Sequence, residues 1–216
     1  MEKIHAIGIT GGIGAGKSVV SRILRLNGFT VFDCDSEARL LMENDSRLRN
    51  DLTSLLGEGA YYGKNLDRAY VSSRIFGDSR LREEVNRLVH HAIRNAVREA
   101  IAGTEDVLFV ESAILSTGGL VPIVDEVWVV DAPEALRLER VMKRSAMDAD
   151  SVRKRMESQE RELSSITERE VRIILNDGDT PVVPQIGNLL ERFMEGVLQE
   201  EGSFEYNDNK LNQEIC

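Results

Sequence analysis

A chain of 216 residues is long enough to bury a substantial core, as one domain or as one core with insertions. Its net charge of −10 argues against a general affinity for nucleic acid or anionic membranes, and two cysteines, Cys34 and Cys216, are too few and too far apart for a disulfide framework or a thiolate metal site. With no basic-then-apolar leader and no apolar run approaching a bilayer span, the chain reads as soluble and cytoplasmic, with small molecules as its partners.

The first predicted element, Ile4 to Ile9, is a short apolar run of the kind found in a buried parallel strand. It leads into Gly11-Gly12-Ile13-Gly14-Ala15-Gly16-Lys17-Ser18, which has the form G-x-x-x-x-G-K-[ST] of a phosphate-binding loop. Glycine at 11, 14 and 16 permits positive-φ turns, so successive N–H groups can face phosphate oxygens. Lys17 supplies a point charge to the β- and γ-phosphates, and the Ser18 hydroxyl is placed to ligand Mg²⁺. Val19, Val20, Ile23, Leu24 and Leu26 then predict a helix stopped by Asn27-Gly28. Strand, glycine loop and helix N-terminus follow in the order that an anion site needs. The loop implies a bound nucleotide.

Phe29 to Phe32 is a second predicted strand, running into Asp33-Cys34-Asp35. In α/β folds ligands sit beyond the carboxyl ends of the strands, which puts both carboxylates on the edge of the phosphate loop. If the backbone stays extended, residues 33 and 35 share a face and aim at one spot, where a carboxylate can take a proton from an attacking hydroxyl or hold metal-bound water. The blander reading is that Asp35-Ser36 caps a helix starting near Glu37.

From Ser36 to Gly103 the pattern is helical, with no convincing strand: Ala38 to Met42, Leu48 to Leu56, a turn-rich break from Gly57 to Lys64, Val71 to Phe76, and a long helix from Ser79 to Ile101. A crossover between parallel strands needs only a dozen or so residues, so this is an inserted helical cap over residues 36–103. His90 and His91 lie in it, pointing in different directions on one helix, which suits a hydrogen bond better than a metal.

Asp106 to Val110 is the third predicted strand and delivers Glu111-Ser112 to the active edge. Asp125 to Val130 is the fourth, and Val171 to Leu175 is the fifth, ending in the turn Asn176-Asp177-Gly178. Five short apolar strands separated by helices imply an α/β fold with a parallel, doubly wound sheet. Between the fourth and fifth lies the most basic stretch: Arg137, Arg140, Lys143, Arg144, Arg153, Lys154, Arg155 and Arg161. Beside a phosphate loop it reads as a lid, residues 141–167, though Glu139, Glu157, Glu160 and Glu162 could instead make it a solvated charged face. Pro184 to Gln199 is a closing helix, and residues 201–216 form an acidic, mobile tail.

In order, these motifs resemble the dephospho-coenzyme A kinase family. The match runs through the glycine loop, Val31-Phe32-Asp33-Cys34-Asp35 with Ala38-Arg39, Leu66-Asp67-Arg68, Phe76 with Asp78, and Leu88-Val89-His90. It continues through Val129-Val130-Asp131, Leu138 with Arg140, Arg144, Arg155 with Gln159, and Asn176-Asp177-Gly178. The resemblance implies a three-layer P-loop kinase fold with a five-stranded parallel sheet, a helical substrate cap and a helical lid. Its nucleotide-binding core would be residues 1–35, 104–140 and 168–200. It implies transfer of a phosphoryl group from ATP, with Mg²⁺, to the ribose 3′-hydroxyl of dephospho-CoA.

Carried over by position, the resemblance makes Asp35 the general base and Asp33 its neighbour near metal and phosphate, with Lys17 and Arg140 catalytic. Nucleotide contacts would come from Gly12, Ile13, Gly14, Ala15, Gly16, Lys17, Ser18, Val19, Arg144, Asn176 and Asp177. Asp33, Asp35, Arg39 and His90 would meet the acceptor, and Ser18 and Asp33 the metal. The chain departs from the family pattern at His91, at Arg137 and over residues 111–118. A nucleoside monophosphate or shikimate-type kinase shares the core and is the nearest alternative. A GTP-binding switch would carry Asp-x-x-Gly and Asn-Lys-x-Asp, which this sequence lacks.

Overall fold

The computed structural model describes residues 5–145, 148–166 and 169–200. Strand β1 (Ala6–Thr10) passes through the glycine loop into α1 (Lys17–Leu26), and β2 (Thr30–Asp33) follows. Helices α2 (Cys34–Asn44) and α3 (Ser46–Leu56), a hairpin of β3 (Tyr61–Tyr62) and β4 (Asn65–Leu66), and helices α4 (Arg68–Ile75) and α5 (Ser79–Ala102) come next. The chain then runs through β5 (Leu108–Glu111), β6 (Glu126–Asp131), α6 (Glu134–Arg144), α7 (Ala149–Ser164), β7 (Glu170–Leu175) and α8 (Val182–Glu200).

Five strands form one parallel sheet in the order β2-β5-β1-β6-β7, so the glycine-loop strand is central. All of β1 is buried, as a strand covered on both faces requires. Alternation then divides the core between two layers. Ile7, Ile9, Phe109, Trp128 and Ile174 pack on one face with Val20 and Leu24 of α1 and Ile186 of α8. Ala6, Leu108, Val110 and Val127 pack on the other with Ile93 and Val97 of α5. Phe109 is the hinge of the first layer, its ring 5.2 Å from Trp128 and 5.4 Å from Phe29.

Three strands run one residue further than their apolar runs, taking in Asp33, Glu111 and Asp131. The reason is pairing. Asp33 stands opposite Glu111, and Asp131 opposite Leu175, so the ladder continues to the acidic edge where hydrophobicity has already ended. All five carboxyl ends thus meet at one rim.

The segment between β2 and β5 has its own apolar cluster of Leu48, Leu52, Leu56, Ala60, Val71 and Val85. The expectation that it holds no strand is corrected by the β3–β4 hairpin. That hairpin is fixed from outside: Arg49 donates to the carbonyls of Gly63 (2.8 Å) and Lys64 (2.5 Å) and stacks 4.4 Å above the Tyr61 ring. Two-residue strands leave no alternation to read. Residues 201–216, expected as an acidic tail, and the side chain of Arg161 lie outside the described residues.

Candidate active site

The glycine loop closes on itself as its spacing demands. Ala15 N–H donates to Gly12 O at 3.1 Å, and Gly11, Gly14 and Gly16 have φ of 149°, 80° and 105°. Packing adds a second reason for glycine. A Cβ on Gly12 would stand 2.1 Å from a guanidinium nitrogen of the buried Arg137, and one on Gly16 would stand 2.1 Å from Nδ2 of Asn176. The loop is clasped on two sides.

Lys17 begins α1 and turns back over the loop, its Nζ donating to Gly11 O at 2.7 Å and to Gly12 O at 3.4 Å. Burial lowers its pKa from the ordinary lysine value; Glu111 and Asp35 oppose that shift, while Arg144 and Arg137 reinforce it. A cavity of about 400 Å³ opens above it, lined by Ile13, Gly14, Gly16, Lys17, Ser18, Asp35, Glu111, Arg140, Arg144 and Gln159. Ser18 and Val19 are exposed at the start of α1, where N–H groups and the helix dipole favour an anion.

The two aspartates do different things. Asp33 is the N-cap of α2: its Oδ1 accepts from Asp35 N (3.0 Å) and Ser36 N (3.2 Å), and its Oδ2 accepts from the Ser36 hydroxyl (2.9 Å). The helix therefore begins at Cys34, not near Glu37, and Asp33 rather than Asp35 is the cap. Extended backbone ends at Asp33, so the pair does not share a strand face. Asp35, in the first helical turn, lines the phosphate cavity. It also lines a second cavity of about 90 Å³ with Cys34, Ala38, His90, Ile93, Ser112, Ile114 and Leu120. Arg39 is exposed one turn further along α2. His90 is half-buried; desolvation and then Arg94 lower its pKa, and Glu162 opposes them.

At the other side of the loop, Asn176 follows β7 and ties three elements together. Its N–H donates to Asp131 O (2.8 Å), its Nδ2 donates to Ala15 O (2.8 Å), and its carbonyl accepts from Arg140 (2.9 Å). Arg140, from α6, also reaches Gly14 O at 3.4 Å. Asp177 points its carboxylate into its own turn instead, accepting from Asp179 N (3.0 Å) and from Thr180 N (2.7 Å), and those bonds lower its pKa.

Two residues outside the sequence-read site belong with this cavity. Glu111, at the tip of β5, lines the cavity with Lys17, and its charge opposes the lowering of the Lys17 pKa. The sequence had brought it to the active edge, as an acid ending a predicted strand just as Asp33 does, without giving it a role. Gln159, from α7, accepts the Ile13 N–H, a contact no local pattern announces across 146 residues.

A phosphate loop on the central strand, acids on the same rim and arginines from the following helix define a P-loop kinase. Comparison with known proteins resolves the class further. The chain belongs to the dephospho-CoA kinase family, whose model matches residues 5–182. It is 40% identical over 186 residues to the dephospho-CoA kinase of Porphyromonas gingivalis, covering 86% of this chain and 92% of that one. The Deinococcus radiodurans dephospho-CoA kinase is 36% identical over 187 residues, covering 85% and 88%. Among solved structures, a Thermus thermophilus protein superposes with a TM-score of 0.68 at 30% identity, over 92% of this chain and 98% of that one. The Campylobacter jejuni dephospho-CoA kinase shares the fold, with a TM-score of 0.66 at 20% identity over 89% and 98%.

Proposed function

We infer that the protein is an ATP-dependent kinase that phosphorylates the ribose 3′-hydroxyl of dephospho-CoA, giving CoA and ADP as the last step of coenzyme A biosynthesis. Family membership supplies the acceptor. The observation that carries the chemistry is the position of Asp35, common to the wall of the phosphate cavity and the wall of the smaller, largely apolar one. A group at that junction can touch the acceptor hydroxyl and the γ-phosphate together.

In this reading the Asp35 carboxylate takes the proton of the 3′-hydroxyl as its oxygen bonds to the γ-phosphorus. The bond from that phosphorus to the β–γ bridging oxygen breaks, and ADP leaves. No covalent intermediate on the protein is needed. Lys17, Arg140 and Arg144 bring positive charge to the three equatorial oxygens, and the loop N–H groups hold the phosphates. Asn176 locks the loop beside the nucleotide. Residues 36–103, with His90 and Arg39, would form the acceptor cap, and residues 141–167 the lid.

The donor set suits Mg²⁺. This ion takes one or two carboxylates and completes its shell with phosphate oxygens and water. Ser18, Asp35 and Glu111 line the cavity, and no cluster of three ligating side chains among the described residues would hold a resident metal by itself. Ser18 and Glu111 would hold the ion; Asp33, named from sequence, has its carboxylate engaged in the cap. Bound there, the ion would neutralise charge on the β- and γ-oxygens. No helix among the described residues is long and apolar enough to cross a membrane. The net charge of −10 supports small-molecule partners over nucleic acid or an anionic membrane, and two cysteines far apart in sequence support a reducing, cytoplasmic setting.

The test is ADP release with dephospho-CoA, AMP, CMP or shikimate as acceptor. Release should depend on dephospho-CoA and match CoA formed. Equal release with no acceptor would sink the assignment.

A further inference from the structure

Helix α7 reaches the wall of one cavity and the loop that walls the other, through two side chains one turn apart. Gln159 lines the phosphate cavity and accepts the Ile13 N–H at the crest of the glycine loop. Glu162 is 4% exposed, and its carboxylate accepts from the N–H groups of Ser116 and Thr117, in the loop after β5. That loop supplies Ile114 and Gly118 to the wall of the smaller cavity, which His90 also lines.

A buried carboxylate is expensive unless it is fully hydrogen-bonded, so the Glu162 contact is demanding in geometry. Its bonds are charge-assisted and hold two successive amides. Arg94 of α5 pins the same loop from the other side, donating to Gly118 O at 3.0 Å. The Ser165 hydroxyl, just past α7, donates to the Ser116 hydroxyl at 2.8 Å. Near its other end α7 is packed rather than hinged: Val152 and Met156 are buried against Val141, with Ile13 of the glycine loop and Leu138 alongside.

Residues three apart on a helix lie on one face and move together. A shift of the glycine loop around phosphate is therefore transmitted through Gln159 to Glu162 and on to the Ser116–Thr117 amides. We propose that Gln159 and Glu162 are positioning residues that make α7 a strut between the two substrate sites, so that each substrate binds more tightly when the other is in place. The proposal rests on the kinase reading above. It adds an energetic coupling, which the reaction itself does not require.

Calorimetry on the full chain tests it, using a non-hydrolysable ATP analogue with Mg²⁺ and dephospho-CoA, each titrated alone and then with the other saturating. Wild type should show mutual tightening of about fivefold or more. Gln159→Ala and Glu162→Gln should each bring that factor towards one. The factor is the ratio of a ligand's Kd alone to its Kd with the other ligand saturating, measured on the same variant, so a change in either ligand's own Kd does not enter it. Melting curves check folding; should Glu162→Gln not fold, Gln159→Ala decides alone. Wild type that binds both ligands with no mutual tightening overturns the strut and leaves the kinase reading standing. Wild-type coupling retained in Gln159→Ala, or in a folded Glu162→Gln, also overturns it. Failure to bind either ligand would overturn both.

Discussion

Exchanging each of the two strand-end aspartates separates a cap from a base. Asp33 gives one oxygen to two N–H groups of the first turn of α2 and the other to Ser36. Loss of such a cap to Ala costs about 0.5–2 kcal/mol, whereas Asn caps nearly as well as Asp. For a chain of 216 residues, each kcal/mol corresponds to about 2–4 °C in Tm. Asp33→Ala should therefore lower Tm by about 1–8 °C, and Asp33→Asn should stay near wild type in both Tm and turnover. Asp35 accepts no capping bond and sits exposed at the helix N-terminus. Asp35→Asn should cost only the dipole interaction, about 0.3–1 kcal/mol. It cannot take the proton, however, and kcat should fall by about 10²–10⁴-fold with both substrates still bound. The assay is turnover at saturating ATP, dephospho-CoA and Mg²⁺, beside a melting curve for each variant. Near-normal turnover in Asp35→Asn together with collapse in Asp33→Asn would show that the cap is the base and that the reasoning fails.

Lys17→Ala should abolish most turnover without lowering the Tm of the ligand-free protein, because burial disfavours the Lys17 ammonium there; a large Tm loss would make Lys17 a structural residue. Arg140→Ala should reduce kcat by about 10³-fold or more while changing the KM for ATP far less; a raised KM at normal kcat would recast it as a uniform binding group. Glu111→Gln should raise the Mg²⁺ concentration needed for half-maximal rate, and an unchanged Mg²⁺ curve would remove Glu111 from the ion's shell. His90 has its pKa lowered in the fold from 6.5. Below that value the unfolded chain binds the proton more readily, so Tm should rise with pH up to about 6.5 and then level off as far as this group is concerned. His90→Gln should flatten part of that rise, and identical pH profiles would exclude His90 as its source.

The sequence by itself determined the elements whose physics is local. The glycine loop was legible because positive φ at 11, 14 and 16 demands glycine at a fixed spacing, and the inner strands β1, β5 and β6 because burial on both faces leaves short, continuous apolar runs. The edge strands β2 and β7 carry such runs although much of their surface is exposed. Membership of the family was legible from the ordered motifs. Tertiary structure alone decided how side chains at the rim divide their roles. Asp33 and Asp35 carry the same group two residues apart, and only the start of α2 at Cys34 made one a cap and left the other facing both cavities. Strand ladders carried Asp33, Glu111 and Asp131 to one edge after the apolar signal had stopped. The contacts of Gln159 with Ile13 and of Glu162 with Ser116 join residues 146 and 46 positions apart. No periodicity encodes such pairs; they exist because the sheet brings the glycine loop and the end of β5 side by side, beneath a single helix that can reach both.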